Sequence, residues 1–216
     1  MRELRSPLGW LNGEAQDEAI CHLHRYMTSY TGRFFEKFAK RSNQNWFEPD
    51  DIVAVSCLGV DVPADVSAWL LLGEGRERCG VLLAGLGSRA SELTEFNLAS
   101  NPAALELWDV LSAQPDMGPT TVSKLMAAKR PGLIPIYDAY VADALLSPGT
   151  GPWKWWAPWQ VLLQGPESRE LIEAAEAVRA GAATRGAEVA HLSVLRVIDI
   201  VVWRSEEVRR RGHIGG

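Results

Sequence analysis

Residues 105–146 read LELWDVLSAQPDMGPTTVSKLMAAKRPGLIPIYDAYVADALL. Apolar side chains recur at three- and four-residue steps up to Ser112 and again after Pro119, which predicts two helices. The segment between these helices is short and contains Gly118, a residue type that permits a sharp turn. The sequence therefore predicts a helical hairpin at about residues 103–129, with Gly118 directly ahead of the second helix.

A further helix is predicted to begin at Asp138, because Asp is a favoured N-cap residue and DAYVADALL continues with helical spacing. A carboxylate at the mouth of a cleft can also stabilise an oxocarbenium-like sugar or activate a water molecule. One residue can serve both as cap and as catalyst. Asp138 is therefore the candidate catalytic residue, with helix capping alone as the alternative.

The same stretch resembles the helix-hairpin-helix DNA glycosylase superfamily, whose motif runs roughly L-P-G-V-G-x-K-T-A and then, about 18 residues after the Lys, V-D-T-H. Pro115, Met117, Gly118 and Thr121 match the hairpin, and Asp138 stands where that superfamily keeps its catalytic Asp. The resemblance implies a glycosylase-like helical fold and DNA as a partner. The core TTVSKLMAAKRPGLIPIYD is also similar to an uncharacterised bacterial family with T-x-x-K-L and K-R-P-x-L-x-P-[IV]-Y-D elements, and this similarity implies no activity.

The chain departs from the glycosylase pattern at several positions. Asp116 replaces the first hairpin Gly, and its carboxylate would repel a phosphate at the neighbouring amide groups. Thr120 stands in place of the Lys that forms a Schiff base, which excludes lyase chemistry through that position. Tyr140 replaces the His that follows the catalytic Asp. No Cys follows Cys79, so an iron–sulfur cluster is not expected, and neither a cofactor nor a metal site is predicted.

Three cations near the hairpin are candidate phosphate contacts. The residues predicted to bind nucleic acid are Gly118, Thr120, Thr121, Lys124, Lys129 and Arg130. The alternative is a solvated helix face whose cations lie near the helix C-terminus, where the helix dipole stabilises them. The sequence favours this alternative, because the local excess of positive charge is small.

Four tryptophans, at positions 153, 155, 156 and 159, lie in the irregular segment SPGTGPWKWWAPWQ at residues 147–160. Indole rings of this kind can stack on a base or another flat ring, or they can bury themselves in the core. Core packing is favoured for these tryptophans, since large aromatic side chains usually bury. The residues predicted to line a pocket are Tyr137, Tyr140, Trp153, Trp155 and Trp156.

Two segments outside this region also have helical spacing. An apolar stripe predicts one helix from about residue 16 to residue 40, with a possible kink at Gly32. HLSVLRVIDIVVW has polar residues at every third position, which predicts a buried helix with an Arg196–Asp199 pair rather than a strand.

Together with the remaining helical segments, these patterns predict an all-α fold: a multi-helix globular domain of about eight to ten helices around the helix-hairpin-helix. The prediction is one domain over residues 1–204, followed by a disordered C-terminal tail over residues 205–216.

Composition narrows the functional classes. The chain has 216 residues, of which 47% are hydrophobic and 23% charged, values that exclude a disordered or collagen-like protein. The net charge of −5 argues against a surface that binds nucleic acid everywhere. No apolar run is long enough to span a membrane. The three cysteines are few, odd in number and widely spaced, which favours reduced thiols and a cytoplasmic location.

Two functional hypotheses follow. The first is a nucleic-acid-binding protein or a monofunctional base-excision-like glycosylase without the lyase Lys, in which Asp138 is catalytic. The second is a non-catalytic scaffold that keeps the fold and binds a small ligand or a protein. The sequence does not decide between an enzyme and a binding domain, and it leaves the oligomeric state open.

Overall fold

A computed structural model describes residues 4–147 and 149–214, and within these ranges the chain forms α-helices and short 3₁₀- or π-helical turns, with no β-strand. The all-α prediction is therefore confirmed. The helices in the described part of the chain are α1 (Gln16–Ser29), α2 (Phe35–Arg41), α3 (Pro49–Cys57), α4 (Ala64–Leu71), α5 (Gly75–Ala84), α6 (Pro102–Ser112), α7 (Pro119–Lys129), α8 (Ala139–Ala144), α9 (Ala157–Gln164), α10 (Ser168–Thr184) and α11 (Val194–Ile214).

The segment predicted as one helix over residues 16–40 is divided into α1 and α2. α1 ends at Ser29, and a 3₁₀ turn over Thr31–Phe34 precedes α2. Gly32 lies in this turn, and a side chain at that position would overlap the phenol of Tyr26. The predicted kink is thus a complete break in the helix. Because Gly32 has no side chain, the Tyr26 ring lies directly against the backbone of the turn.

Helices α6 and α7 lie where the sequence predicts the hairpin, and they contact each other. Asn101 caps α6 by accepting a hydrogen bond from the amide of Ala104 at 2.9 Å. Gly118 is the N-cap residue of α7, and Asp116 in the connecting turn has a φ of 59°, in the left-handed region. This is the region that Asp tolerates better than most non-glycine residues.

Helix α7 lies in the interior of the protein. All residues from 121 to 130 are buried, and α2, α3 and α6 pack against the helix. The buried apolar side chains form one cluster that includes residues from Leu4 to Val202. The polar side chains of residues 121–130 are therefore placed in the core or at the wall of an internal cavity.

Helix α1 packs against α10 and α11, and α11 also packs against α8. These contacts bring the C-terminal end of α1, the middle of α11 and the start of α8 close to α7. They define the position of the pocket described below. None of the helices in the described residues is both long enough and apolar enough to cross a bilayer.

The C-terminal end of the chain differs from the prediction of a disordered tail from residue 205. Helix α11 continues to Ile214, and only residues 215 and 216 of the predicted tail lie outside the described part. The physical reason is a set of ion pairs on the last turns: Glu206 pairs with Arg209 at 2.6 Å and with Arg210 at 2.7 Å. Carboxylates and guanidinium groups three or four residues apart stabilise a helix.

Candidate ligand-binding pocket

A cavity of about 250 Å³ lies between α1, α7 and α11, close to the start of α8. We call it the aromatic pocket. The side chains that define it are Tyr26, Tyr30, Trp203, Lys124, Asp138 and Asp199. Three of these carry aromatic rings and three carry ionisable groups, and Arg196 also lines the cavity, which therefore combines an apolar wall with buried charges.

The aromatic wall consists of three rings in mutual contact. Tyr26 and Tyr30, four residues apart, stack with 5.8 Å between the ring centroids and 8° between the planes. The ring of Trp203 stands nearly perpendicular to both, with centroid distances of 6.1 Å to Tyr26 and 5.7 Å to Tyr30. Such edge-to-face contacts stabilise a fixed arrangement of rings. The wall is therefore a preformed surface.

Lys124 brings a buried ammonium group to the pocket. Its residue is 4% exposed, and Nζ donates a hydrogen bond to the carbonyl oxygen of Leu58 at 2.9 Å. Within the described part of the chain, Nζ has no other hydrogen bond and no ion-pair partner. Burial lowers the pKa of Lys124, although the carboxylates of Asp138 and Asp199 oppose this effect.

Asp138 lies at the start of α8 and at the wall of the pocket. Its Oδ1 accepts a hydrogen bond from the backbone amide of Tyr140 at 2.9 Å, so the predicted N-cap is confirmed. The helix N-terminus favours a negative charge at this position. Oδ2 of Asp138 has no hydrogen bond within the described residues and remains able to accept one from a ligand.

Beneath the aromatic wall lies a buried network centred on Arg196. Its guanidinium donates to Asp199 Oδ2, to Glu36 Oε1 at 2.6 Å and to the Tyr26 hydroxyl at 2.8 Å. The predicted Arg196–Asp199 pair is thus confirmed. Burial raises the pKa of Asp199 to about 6, while Arg196 opposes the rise and the nearby carboxylate of Asp138 adds to it.

The structure brings two of the predicted site residues, Asp138 and Lys124, to the same cavity. Gly118 is exposed at the N-terminal end of α7. Neither Gly118 nor Thr120 lines the aromatic pocket. Thr121 is buried, with 8% of its surface exposed. The turn at Gly118 and the carboxylate of Asp138 therefore do not line a common hollow.

Lys129 and Arg130 are not on the surface, so both interpretations of these cations, phosphate contacts and solvated helix face, are wrong. Both side chains are fully buried. Lys129 Nζ donates to Ser42 Oγ and Asp51 Oδ2. Arg130 donates to backbone carbonyl oxygens, including that of Leu83 at 2.6 Å. Such partners compensate the lost hydration of these two buried charges, and neither side chain is exposed to contact a phosphate.

The tryptophan-rich segment contributes mainly to the core. Trp155 and Trp156 are fully buried, and Trp155 Nε1 donates to the carbonyl oxygen of Pro135 at 3.2 Å. Tyr137 packs edge-on against Trp155 with 5.3 Å between the centroids. Trp153 is 63% exposed. These residues, which the sequence predicts as lining a pocket, do not line the aromatic pocket.

Tyr140, another predicted pocket residue, also lies outside the aromatic pocket. The guanidinium of Arg210 lies over its ring at 4.3 Å from the centroid. This cation–π contact joins α8 to the end of α11. Tyr140 thus supports the helix that Asp138 begins.

The sequence did not identify the aromatic wall or Asp199 as parts of a site. One signal was present: Asp199 and Trp203 are four residues apart on α11, which places both on one face of a helix. Tyr26 and Tyr30 have the same spacing near the end of α1. Periodicity does not show which two faces meet, because more than 160 residues separate them.

A second, wider cavity of about 1050 Å³ adjoins the Arg196 network at Glu36, which pairs with Arg196. Its walls include Glu36, Glu92, Glu176 and Arg179. Burial raises the pKa of Glu92 to about 7, an effect that Arg179 opposes and Glu176 enhances. This groove is wider and lacks the aromatic wall, so the aromatic pocket is the better candidate site for a small ligand.

Fold and pocket together define an all-helical protein with a small, aromatic-walled cavity that contains buried charges. A profile of a family of unknown function (DUF6308) matches residues 19–206, and the chain belongs to this family. The similarity to an uncharacterised family is thereby confirmed, whereas the similarity to DNA glycosylases gains no support. No curated protein and no solved structure matches the chain.

Proposed function

We propose that the chain is a ligand-binding protein that takes a small molecule with a planar ring into the aromatic pocket. The observation that supports this proposal is the placement of Tyr26, Tyr30 and Trp203 beside the charged groups of Lys124 and Asp138 in one cavity. Small-molecule sites characteristically combine apolar and aromatic walls with a few polar groups that fix the orientation of the ligand.

The size of the cavity supports a small occupant. Its volume of about 250 Å³ lies slightly below the range of roughly 300–1,000 Å³ for drug-sized ligands. A single ring system with one or two polar substituents suits such a space. A ring gains apolar contact and favourable edge or face contacts when it packs against other aromatic rings.

Duplex DNA is a poorer partner for this surface. Two of the three cations predicted to contact phosphates, Lys129 and Arg130, are fully buried, and the chain carries a net charge of −5. Because affinity for a duplex comes largely from phosphate contacts, the burial of these two cations and the negative net charge disfavour tight binding. Asp116 adds a negative charge in the turn before α7.

The proposal is tested by thermal unfolding in the presence of a panel of ring compounds: nucleobases, nucleosides, indoles and aromatic amino acids. A ligand that binds the folded state raises the melting temperature in a concentration-dependent manner. The expected result is that at least one class does so, and that Trp203→Leu abolishes the shift. Trp153→Leu is the matched control, because Trp153 is 63% exposed and lies outside the pocket.

A shift that survives Trp203→Leu would place the ligand elsewhere and overturn the proposal. The same conclusion follows if no class of ring compound changes the melting temperature of the wild-type protein.

A second candidate is the hydrolysis of an N-glycosidic bond, as in a monofunctional base-excision glycosylase. The observation that favours it is Asp138 at the wall of a pocket able to hold a base, next to Lys124. In this mechanism, the carboxylate of Asp138 would stabilise an oxocarbenium-like sugar or activate a water. Thr120 lies outside the pocket, so no lyase step is proposed.

The glycosylase candidate is tested by measuring base release from lesion-containing DNA and from nucleosides. Asp138→Asn keeps a good helix cap but removes the charge, and should reduce the rate by at least about 100-fold if Asp138 is the general base. Release that is unaffected by Asp138→Asn excludes this role. Binding to the duplex that does not weaken with added salt would exclude phosphate contacts.

A further inference from the structure

We propose that the ligand of the aromatic pocket is a zwitterion, with an anionic group bound by Lys124, a cationic group bound by Asp138 and a ring packed on the aromatic wall. This inference rests on the proposed function, and it specifies the class of ligand. It follows from Lys124 and Asp138, which line the same cavity but do not form an ion pair with each other.

The anionic end of the ligand is inferred from the surroundings of Lys124. An ammonium group has three N–H donors, and in the described structure Lys124 uses one of them, on the carbonyl oxygen of Leu58. The residue is 4% exposed, so bulk water does not complete its solvation. Buried charges in proteins are normally paired, because an uncompensated charge in a low-dielectric interior is costly. A carboxylate of a ligand in the pocket would be the anionic partner of the Lys124 ammonium group.

The other cation of the pocket is not free to bind an anion. Arg196 already donates to two carboxylates, those of Asp199 and Glu36, and to the hydroxyl of Tyr26. Its charge is therefore compensated within the protein. Among the residues that the structure describes, Lys124 is the remaining cation at the wall of the aromatic pocket, and it is therefore the group that binds the anionic end of the ligand.

The cationic group of the ligand is inferred from an oxygen of Asp138 that has no hydrogen bond in the described part of the chain and from the excess of negative charge around the pocket. Oδ2 of Asp138 accepts no hydrogen bond within the described residues. Among the described residues, the pocket and the Arg196 network contain the carboxylates of Asp138, Asp199 and Glu36 and the cations Lys124 and Arg196, an excess of one negative charge. A ligand with an anionic group alone would add to this excess of negative charge. A ligand that also carries an ammonium group compensates Asp138, and aromatic rings favour a cation beside them.

Aromatic α-amino acids are the simplest molecules with all three features, and they provide matched probes. L-Phenylalanine is compared with phenethylamine, which lacks the carboxylate, and with 3-phenylpropanoate, which lacks the ammonium group. L-Tryptophan, tryptamine and indole-3-propanoate form a second series with a larger ring. Dissociation constants are measured by calorimetry at pH 7.5, with nucleosides as additional ring compounds.

The expected result is that at least one amino acid binds 10-fold or more tightly than both of its singly charged analogues. Lys124→Met should make the amino acid and the amine bind equally, because the partner of the carboxylate is gone. Asp138→Asn should make the amino acid and the acid bind equally. Both variants keep side-chain size, and Asn retains the cap of α8. Lys154→Met, at an exposed position, is the control and should leave all constants unchanged.

Several outcomes overturn the inference. One is that, in both series, the amine or the acid binds as tightly as its parent amino acid. Another is binding of nucleosides without binding of either amino acid, which leaves the proposed function standing. The absence of binding by every ring compound contradicts both. Circular dichroism of each variant shows whether it is folded, and a variant that does not fold is replaced by Lys124→Gln or Asp138→Ser in the same comparison.

Discussion

At the scale of single residues, Lys124 and Lys129 show how position on one helix determines the role of a charge. Both are buried on α7, but Lys124 faces a cavity, whereas Lys129 is enclosed by Ser42 and Asp51. Burial lowers the pKa of Lys129 to about 8, and Asp51 opposes this effect. Lys129 connects the loop after α2 and the first turn of α3 to the core.

We expect Lys129→Met to reduce the free energy of unfolding by about 3–5 kcal/mol, because it leaves the carboxylate of Asp51 buried without its cation. Urea denaturation at pH 7.5 measures the change. Lys37→Met is the matched control: the Lys37–Glu188 pair is at the surface, where water and salt screen the attraction, so this substitution should have a much smaller effect. Equal effects of the two substitutions would contradict the structural role of Lys129.

A second residue-scale prediction concerns Glu92 in the wide groove. Its pKa of about 7 in the folded protein is above the ordinary value of 4.5 for a glutamate. The folded state therefore holds a proton that the unfolded state releases, and the stabilising contribution is present below about pH 4.5 and is lost as the pH rises towards 7. Glu92→Gln does not lose stability in this way, because the amide of glutamine does not titrate.

The measurement is the free energy of unfolding of wild type and Glu92→Gln between pH 4.5 and 8. Relative to wild type, the free energy of unfolding of Glu92→Gln should increase as the pH rises from 4.5 to 8. Parallel profiles would show that Glu92 has the same pKa in the folded and unfolded states.

At the scale of elements, the end of α11 depends on charge rather than on apolar burial. Hydrogen bonds from Arg209 and Arg210 lower the pKa of Glu206 to about 2, and Glu207 pairs with Arg204 at 2.6 Å. Arg210 also pairs with Asp143 of α8 at 2.7 Å. The last turns of the helix are thus attached to the helix that begins at Asp138.

We expect amide hydrogen exchange over residues 205–212 to be slower than in an unstructured peptide. The protection should decrease in 1 M NaCl, where the Debye length falls to about 3 Å, and in Glu206→Gln at low salt. Exchange over α7 is the internal reference, since that helix is buried. Unprotected exchange at low salt would instead agree with the predicted tail.

At the scale of the whole molecule, apolar periodicity was sufficient to predict an all-α fold, and the residue type at position 138 was sufficient to predict the cap of α8. The Arg196–Asp199 pair was predictable because both residues lie on one helix. Long-range relations were not predictable in this way. The burial of Arg130 depends on carbonyl oxygens of the segments around Leu83 and Gln44, and the aromatic pocket depends on contacts between the two ends of the chain.

The prediction of one domain over residues 1–204 has a direct test. Because one apolar cluster includes residues from Leu4 to Val202, we expect a single cooperative unfolding transition. Near- and far-ultraviolet circular dichroism should give the same midpoint in urea. Two separate midpoints would indicate two independently folding units.

Cys57 lies at the wall of the aromatic pocket and is partly exposed, whereas Cys79 is buried and Cys21 lies on the outer surface. Replacing Cys21 by Ser would leave Cys57 as the accessible thiol. A library of disulfide-forming fragments could then be captured at the cavity wall and identified by mass, which offers a way to search for the natural ligand without knowing its chemistry in advance.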